Sequence, residues 1–80
     1  MRRGVDIEYI ITFGRHLAKT RKTKGFTQES LCHAIGLSLS QIARIETGKI
    51  CPSIDTVHRI AKGLGVQTKE LFDFVISEET

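Results

Sequence analysis

Cys32, His33, Cys51 and His58 are candidates for binding a metal or attacking a bond, and their spacing argues against both uses. They form neither a C-x-x-C pair nor an H-x₃₋₅-H pair. No Ser/His/Asp grouping or glycine-rich phosphate loop is present, and the acidic pair Glu78 and Glu79 stands in a tail. An enzyme, a metal centre and a cofactor are therefore not expected. What remains is recognition chemistry. In the stretch SLSQIARIET, residues 38–47, Ile42 and Ile45 define the buried side of a helix at 100° per residue. The opposite side is centred near Ser40 and Thr47, with Arg44 beside them, Ala43 at the margin and Leu39 at the exposed N-terminal end.

Two short helices joined by a tight turn must position that face. Leu31 and Ile35, four apart, share one side of the first helix. Gly36 stops it, because glycine accepts the left-handed conformation that ends many helices. Ser38 begins the second: its hydroxyl can accept a backbone N–H one turn on, and Gln41 can reach back in a capping box. Leu37 is the apolar plug between them.

This arrangement resembles the helix-turn-helix of phage repressors and Cro proteins, the XRE-type family. Apolar residues stand where that family needs them at Leu31, Ile35, Leu37, Ile42 and Ile45, with Gly36 as the turn glycine. The family prefers alanine where this chain has Cys32, since the two helices nearly touch there; cysteine is small and commonly buried, so the departure is mild. The flanks match as well: Gly25, Phe26, Thr27 and Gln28 lead in, Ile45, Glu46, Thr47, Gly48 and Lys49 close the second helix, and Pro52 and Ser53 open the next. The likeness covers about residues 13–73, leaving an arm at 1–5 and a C-terminal extension at 74–80.

The rest of the chain reads as one small all-α domain of five helices, the repressor-like fold that the resemblance implies. Asp6 caps a long first helix reaching to about Lys22, with Ile10, Phe13, Gly14, Leu17 and Arg21 facing inward. Arg15, Lys19, Arg21, Lys22 and Lys24 load its C-terminal half with positive charge, which suits the macrodipole, or simply forms a solvated basic face. Phe26 anchors the following turn, and Thr27 caps the second helix. Gly48 closes the third. Ser53 caps a fourth helix whose buried face is Ile54, Val57, Ile60, Ala61 and Leu64, with Gly63 and Gly65 at its end; Thr68 caps a fifth, from which Leu71 and Phe72 close the core.

Eighty residues bury only about 60% of their unfolded surface, so the stability of such a domain is modest. The formal charge of +3 is a mild basic bias, compatible with nucleic acid. Nothing resembles a signal peptide, no run approaches the length of a membrane span, and two cysteines without a secretory signal suggest free thiols in a cytoplasmic protein.

The resemblance implies double-stranded DNA as partner. In helix-turn-helix docking the N-terminal residues of the second helix meet base edges in the major groove, which makes Leu39, Ser40 and Arg44 the base readers. Arg44 can donate twice to guanine O6 and N7. Gln28, Ser38, Thr47 and Lys49 are the expected phosphate contacts, Gln28 by the family's use of a glutamine beside the helix N-terminus. The family also pairs an arginine and a glutamate at the positions of Arg21 and Glu46, a partly buried ion pair with a structural task. One module reads few base pairs, so a homodimer on a palindromic operator is expected, with recognition helices roughly 34 Å apart. Phe74, Val75 and Ile76, apolar beyond the family-like core, are the expected dimer contact, with Ile7 and Ile11 surplus at the other end. A transcriptional regulator without a small-molecule ligand is the leading expectation. A protein-interaction module of the same fold, such as an antitoxin or controller subunit, is the alternative.

Overall fold

The computed structural model of the chain describes residues 6–76. The arm at 1–5 and the tail at 77–80, with Glu78 and Glu79, lie outside the described residues. Four α-helices follow one another: α1 (Ile7–Thr23), α2 (Gln28–Ile35), α3 (Leu39–Glu46) and α4 (Ile54–Leu64). Among the described residues no strand occurs, and no helix is long and apolar enough to cross a membrane.

Each α-helix starts on a side-chain cap that its sequence supplies. Asp6 Oδ1 accepts from Tyr9 N at 3.0 Å, Thr27 Oγ1 from Ser30 N at 2.9 Å, Ser38 Oγ from Gln41 N at 3.1 Å and Ser53 Oγ from Thr56 N at 3.1 Å. Each bond satisfies an amide that the first turn leaves without an intrahelical partner. The α2–α3 turn passes through Gly36 at φ 75°, a left-handed conformation that a side chain would strain.

The buried stripe of α1 is Ile10, Phe13, Gly14, Leu17 and Arg21, and it meets α3. Contact is close enough that a Cβ on Gly14 would collide with the carbonyl oxygens of Ile45 and Glu46. Leu31, Ile42, Ile45, Ile60 and Leu71 fill the centre between α1, α2, α3 and α4. Phe26 and Ile35 pack on its margin.

Four expectations require correction. Where a fifth α-helix was expected, a five-residue 3₁₀ helix runs from Thr68 to Phe72. So short a segment forms too few α-type bonds to offset the cost of nucleation, and tighter i→i+3 bonding suffices. Gln67, not Thr68, holds the cap position, its N–H donating to Glu70 Oε2 at 3.0 Å. Leu71 is fully buried, but Phe72 is 41% exposed and closes nothing beyond its stacking on Phe13, with centroids 5.0 Å apart. Ile54 nearly shares the angular position of buried Ala61 on α4, yet it sits in the first turn and is 88% exposed.

Candidate nucleic-acid interface

Helix α3 is presented by what lies beneath it. Ile42 and Ile45 are buried, which turns Ser40 and Arg44 to solvent and leaves Leu39 45% exposed at the helix start. Ala43 is half-buried at the side facing α1. Ser38 and Gln41 close a capping box around the first turn, with Gln41 Oε1 accepting from Ser38 N at 3.1 Å. Leu39 borders a shallow cleft that it shares with Lys22, Thr27 and Gln28, so the start of α3 and the start of α2 form one surface.

The other end of α3 is held by charge. Arg21 Nε donates to Glu46 Oε2 at 2.6 Å and Nη2 to Oε1 at 3.1 Å, both side chains being buried. Arg21 Nη1 donates to Phe26 O at 2.8 Å, which ties the same guanidinium to the α1–α2 turn. Gln28 Nε2 completes the cluster, donating to Glu46 Oε1 at 2.8 Å. One carboxylate thus binds α1, α2 and α3 together, and its negative charge is met on both oxygens. On the far side, Arg59 of α4 donates to Ile35 O at 2.6 Å, satisfying a carbonyl at the end of α2 just before the turn. Neither the Gln28 nor the Arg59 bond could be found from the sequence, since both span many residues and follow no local pattern.

The expected phosphate contacts are placed unequally. Lys49 is exposed beyond the end of α3. The hydroxyl of Ser38 donates to Gln41 Oε1 at 3.2 Å, and that of Thr47 to Ala43 O at 2.8 Å. Each hydroxyl has one proton to give, and it is given inside the chain. Gln28 stands at the N-terminus of α2 as expected, with one amide donor committed to Glu46.

Cys32 is buried where α2 meets α3, and burial pushes its thiol above the ordinary range, aided by the Glu46 and Glu29 carboxylates. Cys51 is exposed. Among the described residues no three His, Cys, Asp or Glu side chains gather as a metal site requires.

A second surface lies at the start of α1. An open apolar groove is lined by Tyr9, Ile10, Phe13, Ile54, Val57 and Phe72. Of the expected dimer residues, Phe74 folds back onto its own chain, half-buried, with its ring centroid 5.0 Å from that of Tyr9 and 5.6 Å from that of His16. Val75 is 85% exposed and Ile76 half-buried.

With that geometry in place, known proteins supply a comparison. The Helix-turn-helix family matches residues 17–71. Control protein C.BamHI of Bacillus amyloliquefaciens is 37% identical over 65 residues, covering 80% of either chain. Control protein C.MunI of Mycoplasma sp is 38% identical over 69 residues, 85% of this chain and 93% of that one. In the crystal structure of the restriction-modification controller protein C.AhdI from Aeromonas hydrophila, the match reaches a TM-score of 0.76 at 32% identity, over 79% of this chain and 96% of the other.

Proposed function

The chain belongs to the XRE-type helix-turn-helix family of DNA-binding transcriptional regulators, and from that premise we propose that it binds a palindromic duplex site as a homodimer in the cytoplasm. As a member of that family it is a regulator and not an enzyme. Leu39, Ser40 and Arg44 read base edges, Arg44 through two donors to a guanine and Leu39 through apolar contact with a thymine methyl. Gln28, through its remaining amide donor, and Lys49 hold phosphates. Ser38 and Thr47 add a phosphate contact only by exchanging a bond made within the chain. The observation that carries this reading is the exposed set on α3, turned outward by buried Ile42 and Ile45.

Pairing rests on the apolar surface left over. The groove beside Tyr9, the exposed Ile54 and Phe72 at its edges, and Val75 in the segment formed with Phe74 and Ile76 are the surfaces a second copy would cover. The likeness to three controller proteins favours a narrower reading: the regulated genes encode a restriction–modification pair.

Selection of bound duplexes from a random pool tests the reading. A palindromic consensus is expected, and Arg44→Ala should erase the preference at one base pair per half-site. Equal loss of affinity on every duplex would overturn the assignment of Arg44 to a base. Sedimentation should show a dimer at tens of micromolar, and a monomer there would overturn the pairing.

A further inference from the structure

We propose that the basic face of α1, formed by Arg15, Lys19 and Lys22, is a second phosphate-binding track that carries the DNA backbone past the end of α3. The inference rests on the DNA-binding reading above and adds a site that the helix-turn-helix itself does not contain. Arg15, Lys19 and Lys22 fall at i, i+4 and i+7, so they share one side of α1, turned away from its buried stripe. With Ala18 and Thr23 they form one wall of an open cleft, and Gln28, Ala43, Glu46 and Thr47 form the other. The cleft therefore opens on Gln28 and Thr47, two residues that the DNA-binding reading above assigns to phosphates.

Three features separate this face from an ordinary solvated one. First, its cations are exposed, and among the described residues no carboxylate pairs with them; the salt bridge present is Arg21–Glu46. The acid lining the cleft is Glu46, whose two oxygens are met by Arg21 and Gln28. Second, the macrodipole explains only part of the charge. Its influence fades within a turn, and the basic residues in the last turn of α1 are Arg21 and Lys22. Arg15 and Lys19 lie before it. Third, the hydroxyl donors of Ser38 and Thr47 are spent within the chain, which leaves the α1 side chains as free donors bordering that surface. At a rise of 1.5 Å per residue the three cations span about 10 Å, comparable to about three base steps of one strand at roughly 3.4 Å each. Phosphates carry no sequence directly, so the track adds affinity and length of footprint without altering base preference.

The test compares two full-length variants that lose equal charge, Arg15→Gln/Lys19→Gln and Lys62→Gln/Lys69→Gln, the latter pair being exposed on α4 and on the 3₁₀ helix. Binding to the selected duplex is measured across salt. The α1 variant should lower the slope of log K against log salt by about 1.8, at roughly 0.9 per phosphate contact, with an unchanged consensus, and phosphate-ethylation interference should vanish at the outer positions. The control should keep the wild-type slope. Equal slopes in the two variants would overturn the inference while leaving the DNA-binding reading intact. A wild type that binds no duplex would remove both.

Discussion

The two ends of α1 face different worlds. Its C-terminal half runs beside α3, where the buried polar groups are paired and the surface carries cations that no carboxylate among the described residues meets. Its N-terminal half borders a groove of aromatic and aliphatic side chains with Ile54 and Phe72 standing at the rim. A small domain normally hides apolar surface where it can and scatters its charge. Here the charge collects at one end and the uncovered apolar surface at the other. On the proposed reading the contrast assigns the two surfaces to different partners: a polyanion would be met by donors held ready, and a second copy by area that water would leave.

The largest test of the first surface is Glu46→Ala. It leaves the Arg21 guanidinium buried without its carboxylate, and breaking one partner of a buried pair costs roughly 3–5 kcal/mol. Thermal melting of the two single variants and the double should show coupling, and additive losses would dismiss the pair. Next comes Arg44→Ala: the arginine side chain is exposed and has no hydrogen-bond partner among the described residues, so its loss should leave the melting curve alone and cost about 1–3 kcal/mol on the selected duplex. Lys49→Ala should instead weaken every duplex alike and lower the salt slope by about 0.9.

At the other surface Ile54→Ser should barely move the stability of the domain, because the side chain is 88% exposed, yet shift sedimentation toward monomer. A core role for Ile54 would reverse that pattern. The smallest effect belongs to Cys32. Its folded-state thiol holds its proton more tightly than the unfolded one, so its contribution is complete below the unfolded pKa and is lost as pH rises through the raised folded value. Urea melts at neutral and alkaline pH should show wild type losing slightly more than Cys32→Ala. A thiol reagent at neutral pH should modify Cys51 quickly and Cys32 only as the domain opens.

Much of this was legible in the sequence because the signals are local. The four cap residues and the stripe of α1 follow from spacing, and so does the outward face of α3. The ion pair came from resemblance, since Arg21 and Glu46 stand 25 residues apart with nothing between them to point from one to the other. Ile54 was misread because periodicity gives an angle around a helix but not a depth along it. The 3₁₀ helix was misread because Leu71 needed burial, and burial of one side chain does not require an α-helical turn. The Gln28 and Arg59 bonds are tertiary, and only assembled elements reveal them.

The carboxylate of Glu46 has a further consequence, for the speed of folding. Every helix start is capped by residues three apart, so each can be sampled within its own segment on fast timescales. The clasp on Arg21 closes a long loop and returns little until α1 and α3 have docked. Its formation is therefore expected late on the route, after the rate-limiting step. In a chevron, loss of the clasp should speed escape from the native state and leave the refolding limb nearly where it was.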